Sequence, residues 1–527
     1  MADDLITVAE SSARGGFFLI SGTALATVIM AIASILIARS LGQDLYGQYT
    51  LALVVPELLF LFTDLGINQG ITKFTANLRA KGETNRITKI IQHGLLLRAL
   101  VGIVIFIVSY IFADLFASIL LQRPELAFYI RIASIAILFQ LIFSTATSTF
   151  IGLDRTGLAS LTTNIQALAK TIISLALVLI GFSVAGAIIG YVAGYIAAAV
   201  AGAFILFLIL RMKQNVKSNY SFTDNFKTLI HYGAPLYISM LLAGLFSLYQ
   251  GIILAIFATD PEVGNYKAAL NFATLLAVIS GPITTMLLPA FSKLDSSTKQ
   301  KIKTFFKLAN KYTAIIIVPL TVLMIIFSSE IVQITYGSTY ESAPSFLVAY
   351  SLLYFLVGLG SLTLTSFYNG LGETKTTLKI YLISFLILIV LSPILARIYG
   401  VLGVIMAVLI ANVASTGYGA YVARKNFQIE FDSKLLAKIY IISIASGIFP
   451  LLLLQISPMP MLFNVIAGGL LYLLIYITLI PVTRIVNHTE LKTATQILQK
   501  TKPLLLLIQP LINYQQKILD RQKSRTP

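Results

Sequence analysis

The stretch LYGQYTLAL (Leu45–Leu53) returns 217 positions later as EVGNYKAAL (Glu262–Leu270). Gly47 and Gly264, Tyr49 and Tyr266, Ala52 and Ala269, and Leu53 and Leu270 coincide. The register holds elsewhere. STATST (Ser144–Thr149) aligns with SLTLTS (Ser361–Ser366), and Val184 and Gly186 align with Val401 and Gly403. Gly152-Leu153 with Thr156 recurs one residue out of step, as Gly370-Leu371 with Thr374. One short match among common residues is chance; matches at four separated places predict a duplicated unit.

The composition says where that unit lives. Of 527 residues, 57% are hydrophobic and 11% charged, against about 25% charged in a soluble domain. Such a chain cannot hide its apolar side chains from water and reads as an all-α integral membrane protein. A window of about 20 residues picks out fourteen apolar segments between residues 16 and 483. The expected plan is a cytoplasmic N-terminus (1–15), an N-lobe of six helices (16–212), a linker (213–230), a C-lobe of six helices (231–425), two further helices (426–484) and a basic tail (485–527). With no cysteine there is neither a disulfide framework nor a thiolate metal site, and His93, His231 and His488 share no ligand spacing.

Lysine and arginine set the orientation. With the N-terminus inside, the cytoplasmic loops hold Lys73, Arg79, Lys81, Arg86 and Lys89; Arg211, Lys213, Lys217 and Lys227; Lys293, Lys299, Lys301 and Lys303; and Arg424, Lys425, Lys434 and Lys438. Only Arg39, Arg123, Arg131, Lys267 and Arg397 fall outside. This positive-inside bias accounts for the net charge of +17 without a nucleic-acid partner. Six is an even number, so both copies enter the bilayer the same way round, related by a pseudo-two-fold along the membrane normal with a cleft between them. The repeated stretch then falls at an outer corner of each lobe. There Gly47 and Gly264 are expected to act as hinges of a gate, and Tyr49 and Tyr266 as interfacial anchors.

Three stretches carry a family resemblance: ARSLGQDLYGQYTLAL (Ala38–Leu53), DLGINQGITKFTA (Asp64–Ala76) and VGNYKAALNFATLLAVISGPITTMLLPAFSKL (Val263–Leu294). Together they resemble the polysaccharide-transporter family of lipid-linked oligosaccharide flippases, within the multidrug/oligosaccharidyl-lipid/polysaccharide exporter superfamily. The resemblance implies a plasma-membrane flippase that carries an anionic lipid-linked glycan to the outer leaflet, without a cofactor and in functional association with glycosyltransferases. Its superfamily also implies an alternative, multidrug export coupled to H+ or Na+. A membrane glycosyltransferase or polymerase is the third reading. It would need catalytic carboxylates in an outer loop, where only Asp260 and Glu262 stand close together, and a solvated loop explains those. No GxxxxGK[ST] stretch is present for ATP hydrolysis.

Charge at membrane depth marks the candidate site, because it costs about 2.5–3.5 kcal/mol per residue at a helix centre. Glu57 and Asp64 lie seven residues apart and share a helix face with Thr50 and Asn68. Pro56 withholds a backbone donor beside them, so the pair is a candidate coupling-ion site. The repeat maps Thr50, Glu57 and Asp64 onto Lys267, Thr274 and Gly281. Thr163, Gln166, Lys170 and Ser174 share one face of the fifth helix. Lys170, Lys267, Gln166, Asn271 and Arg39 are the candidate substrate contacts. Arg98 and Arg131 are expected to snorkel to headgroups. The tail segment PLLLLIQPLI (Pro503–Ile512), flanked by Lys500, Lys502, Lys517 and Arg521, is too short to span and reads as an amphipathic helix on the cytoplasmic leaflet.

Because the chain has no cysteine, single cysteines report the topology. Cysteines replacing Ser297 and Asn426 should react with an impermeant maleimide only from the cytoplasm, and one replacing Ser338 only from outside. Labelling of Ser297 and Ser338 from the same side would end the fourteen-helix plan.

Overall fold

The computed structural model describes residues 2–211, 222–292, 299–457, 459–498 and 502–523. Lys213, Lys217, Lys293, Ser297 and Lys500 lie outside the described residues. Among the described residues all regular structure is helical, as lipid requires: a helix satisfies its own backbone donors and acceptors where no water can. Ten helices are long and apolar enough to cross a membrane, or up to eleven if the bent pair Ala343–Leu359 and Leu364–Gly370 is one span. Three of the ten are too long for one crossing: Ser21–Leu61 (41 residues), Thr156–Leu210 (55) and Thr374–Phe427 (54). At 1.5 Å per residue they would reach about 60–80 Å, twice the roughly 30 Å of hydrocarbon or more. Each is interrupted by left-handed backbone, at Gly42 (φ 76°), at Gly181 and Ser183 (φ 104° and 49°), and at Gly400 (φ 56°). With those three counted twice, the described residues hold thirteen crossings, or fourteen if the bent pair is one span.

These breaks also record the duplication. Ser183 has φ 49° and ψ −134°, and Gly400, 217 residues on, has φ 56° and ψ −133°. Asp154 (φ 58°) corresponds to Gly372 (φ 82°), one residue out of step like the sequence around them.

The chain packs as two compact units, one formed by Met1–Asn271, Thr335–Phe346 and Tyr381–Ala411, the other by Phe272–Ile334, Leu347–Ile380 and Asn412–Pro527. Packing thus groups residues across the expected lobe boundaries. The first unit contains α1 (Ala2–Ala52), α2 (Val54–Leu61), α3 (Ile67–Ala80), α4 (Thr84–Ile111), α5 (Ala127–Gly152), α6 (Thr156–Leu177), α7 (Ser183–Arg211), α8 (Phe222–Phe257) and the start of α9 (Asp260–Ser292). Its core gathers Ile67, Ile71, Ile91, Phe150 and Leu229 from α3, α4, α5 and α8.

Gly42 (φ 76°) breaks α1 and residues 258–259 separate α8 from α9, so each copy has its corner, and Gly47 and Gly264 sit inside the helices just past it, where α1 crosses α9; what each provides there is the missing side chain. A Cβ on Gly47 would stand 1.9 Å from the Asp260 carbonyl oxygen, and one on Gly264 2.1 Å from the Gln43 carbonyl oxygen. Gln48 Nε2 donates to Asp260 Oδ2 (3.0 Å), while Asn265 Nδ2 donates to Gln43 Oε1 (2.7 Å). Residues 43 and 260, 47 and 264, and 48 and 265 are repeat mates, so each copy makes to the other the contact it receives. That exchange is the signature of a two-fold interface. Asp260, expected in a solvated loop, is instead held by Arg123 at 2.8 Å and is mostly buried. The two tyrosines are buried too, Tyr49 stacked on Tyr46 with ring centroids 6.0 Å apart, and Tyr266 bonded to Gln250 (2.9 Å).

The second unit includes α10 (Lys299–Ile326), part of α11 (Thr374–Phe427), α12 (Ser433–Ser446), α13 (Met461–Val482), α14 (His488–Leu498) and α15 (Lys502–Lys523). Asp432 caps α12 through Leu435 N (3.1 Å), and the Lys307 ammonium holds its carboxyl below the usual carboxylate range. Lys311 of α10 reaches both Glu490 oxygens of α14 at 2.7 and 2.9 Å. The tail departs from expectation. Ile512 and Leu519 of α15 are buried with Tyr472, Tyr476 and Ile480 of α13. Tyr514 hydrogen-bonds Thr478 at 2.9 Å. Ile512, Tyr514 and Leu519 of α15 therefore pack on α13, while the side chains of residues 503–508 lie outside the described residues.

Overpacking a close crossing costs about 1–3 kcal/mol. Gly47→Val and Gly264→Val should each lower the melting midpoint of the purified protein by several degrees. A double variant that melts like the parent would show that the two helices part freely there.

Candidate functional site

Pro56 carries no N–H for the Ala52 carbonyl, and the first long helix is interrupted at Leu53. The chain restarts as α2 with Glu57 in its first turn, where the helix dipole favours a carboxylate. Tyr191 of α7 donates its hydroxyl to Glu57 Oε1 at 3.4 Å. Lys170 of α6 lies with Nζ 5.2 Å from the centre of the Tyr191 ring, within cation–π range.

Two glycines on α7 make this possible. A Cβ on Gly190 would stand 2.3 Å from the Ser174 backbone nitrogen, and one on Gly194 2.8 Å from Lys170 Cβ. α6 and α7 therefore touch at backbone distance and hold Lys170 against Tyr191. Tyr195, one turn on, meets Tyr191 edge to face at 5.1 Å and accepts a hydrogen bond from Gln140 (3.3 Å). Lys267 arrives on α9, three residues past the Gly264 crossing. Glu57, Lys170 and Lys267 are all half-buried.

The other expected positions lie elsewhere. Asp64 does not join Glu57, because its Oδ1 is 3.5 Å from Arg98 Nη2. Arg98, expected to snorkel, is fully buried, with Nη1 shared among Asn68 Oδ1 (2.8 Å), Ser144 Oγ (2.8 Å), Thr145 Oγ1 (2.7 Å) and the Leu141 carbonyl (3.4 Å). Asn271 donates to Ser34, Tyr46 and Tyr336 in a buried polar cluster. Gln166 is buried, with its carbonyl under Gly194. Arg39 is exposed on α1, just ahead of the Gly42 break, whereas Arg131 pairs with Asp114 at the surface. Among the described residues, no group of three or more His, Cys, Asp or Glu is placed to hold a metal ion. Sequence reasoning missed Tyr191 and Tyr195. Their spacing of four on an otherwise small-residue helix was the available signal.

Residues 12–295, more than half of the chain, match the family model described as polysaccharide biosynthesis protein. A search of curated protein sequences finds no match. Among solved structures, the chain resembles the lipid II flippase MurJ in an inward closed conformation, with TM-score 0.70 and 18% identity over 88% of this chain and 99% of that one. It also resembles an inward-facing multidrug resistance MATE family transporter of the MOP superfamily, with TM-score 0.65 and 16% identity over 76% of this chain and 94% of the other. A MOP superfamily transporter from Pyrococcus furiosus, described as having reversed binding-pocket polarity, aligns with TM-score 0.54 and 16% identity over 79% and 95% of the two chains. At such identities the likeness is one of fold. The chain is a membrane-spanning member of the polysaccharide biosynthesis protein family, built on the fold of MOP superfamily transporters.

Proposed function

We propose that this chain carries an anionic lipid-linked saccharide from the cytoplasmic to the outer leaflet of the plasma membrane, with both termini cytoplasmic. The observation that carries the reading is the Lys170 ammonium group lying 5.2 Å from the ring of Tyr191, whose hydroxyl bonds Glu57, within membrane-spanning helices. Lys267 of the repeated stretch adds a second base to this membrane-embedded site. A phosphate entering it gains charge-assisted hydrogen bonds that water in the bilayer cannot offer. The saccharide is the physical barrier to crossing, since each hydroxyl stripped of hydrogen bonds in hydrocarbon costs several kcal/mol. A polar cleft open alternately to the two sides removes that cost while the lipid tail stays in the bilayer. The two-fold crossing at Gly47 and Gly264 is the outer closure such a cycle has to open.

The family match and the fold shared with a lipid II flippase support this reading over catalysis. The fold shared with multidrug transporters supports a second reading, export of cations coupled to H+ or Na+. Against it, both carboxylates suited to a coupling ion already face cations, Glu57 the two lysines and Asp64 Arg98.

In proteoliposomes, Lys170→Ala and Lys267→Ala should each slow translocation of a polyprenyl-diphosphate oligosaccharide by about tenfold or more, the scale of one lost hydrogen bond to a charged group. Lys170→Arg should retain more activity than Lys170→Ala, short of the parent because the guanidinium differs in shape. Cationic-dye export would give the opposite ranking, with loss at Glu57→Gln and tolerance at the lysines. Dye export that survives both lysine changes, together with no glycolipid movement by the parent, would replace the first reading by the second.

A further inference from the structure

α2 does not continue into α3. Over residues 62–66 the chain leaves the helix, with Leu65 (φ 49°) and Gly66 (φ 80°) in the left-handed region. The break opens beside a cavity of about 340 Å³ whose polar wall is formed by Asp64, Asn68, Gln69, Arg98, Ser144 and Ser148. Phe60 and Tyr237 contribute to its apolar wall. Four of the twelve buried side-chain atoms without a hydrogen-bond partner among the described residues belong to this one wall: Asp64 Oδ1, Gln69 Oε1, Arg98 Nε and Arg98 Nη2. Arg98 is 0% exposed. Asp64 Oδ1 and Arg98 Nη2 face each other at 3.5 Å, a loose ion pair without a hydrogen bond, while Gln69 Oε1 and Arg98 Nε have no partner. Leaving a buried polar group unmatched costs about 1–3 kcal/mol, so these groups beside a cavity point to a ligand that supplies the missing partners.

The chemistry of that ligand follows from the signs. An anion would satisfy the guanidinium but meet the Asp64 carboxylate, 3.5 Å from it. A cation would satisfy Asp64 and meet Arg98. A hydroxyl group is donor and acceptor at once, so neighbouring hydroxyls on one ring can accept from Arg98 and donate to Asp64 and Gln69 together. Ring C–H faces can lie against Phe60 and Tyr237. The volume is far above the roughly 10–15 Å³ that a single water needs, and leaves room for a pyranose ring.

We infer that this cavity is a saccharide-binding subsite, distinct from the lysine-bearing site at Glu57. Its place in transport rests on the reading that the cargo is a lipid-linked saccharide. Asp64 follows Glu57 by seven residues, at most about 25 Å of chain even if fully extended, so a diphosphate at the lysines would leave its first sugars within reach of Arg98. The cavity then reads the glycan and the lysines hold the charge.

The test uses the full-length protein in detergent, with saturation-transfer NMR of free glucose, galactose, N-acetylglucosamine and rhamnose at millimolar concentration. At least one sugar should receive saturation from the parent. Ser148→Phe, which fills the cavity, should reduce that signal at least tenfold. Gln69→Ala, which removes an unmatched acceptor and otherwise gives up only a contact with the Met240 sulfur, should reduce it several-fold in a protein that melts like the parent. No signal from any of the four sugars, as for a cavity that holds water only, overturns the inference. So does a signal unchanged in both variants, or one lost in Lys170→Ala alone. A separate arm measures sugar-free polyprenyl diphosphate by native mass spectrometry on the parent and on Lys170→Ala. Failure there removes the anionic-carrier reading and leaves the sugar result to stand by itself.

Discussion

Two backbones that touch where side chains would stand are what the rest of this molecule depends on. At Gly47 and Gly264 the space for a Cβ is already taken by a carbonyl oxygen of the crossing helix, at 1.9 and 2.1 Å. The Gln48–Asp260 and Asn265–Gln43 hydrogen bonds lock the same register from either side. Everything further along each helix inherits its position from this contact. Lys267 follows Gly264 by three residues, and Glu57 follows Gly47 by ten, across the Pro56 interruption. A residue with any side chain at the crossing would push the acid and the base apart together.

The charged site is asymmetric although its scaffold is duplicated. In repeat register, Thr50 corresponds to Lys267 and Glu57 to Thr274, so one copy carries the acid and the other the base. Two equal copies would have brought like charges together at the axis, which is costly where water is scarce. Divergence turned a symmetric closure into a polar one. α6 adds the second cation through a different device, the glycine contacts that seat Lys170 beside Tyr191.

Much of this was legible in the sequence, because depth and azimuth are simple functions of residue number in a helix. The all-helical membrane architecture and the repeat register followed from counting, and counting also singled out Glu57, Lys170 and Lys267 as charges at membrane depth. What escaped depended on neighbours. Glycine serves both left-handed turns and close approach, and a run of letters does not separate the two, so the close crossing at Gly47 and Gly264 could not be read from the sequence. Arg98 was placed by its distance to the headgroups, whereas partners on α3 and α5 had made a fully buried position affordable. Asp260 looked like loop because its clamp, Arg123, lies 137 residues away. The α15 tail has an amphipathic pattern that suits a lipid surface or a protein groove equally well. Only packing against α13 distinguishes them.

Ser183 and Gly400 share one unusual pair of torsion angles while differing in residue type. A serine held at φ 49° gives up an energetic preference that a glycine lacks, yet the return between paired crossings keeps its shape in both copies. What descended from the ancestral half-molecule at this point is therefore a bend rather than an amino acid. Kinship between the halves is written here in backbone geometry, and would remain readable after every identity between them had been lost.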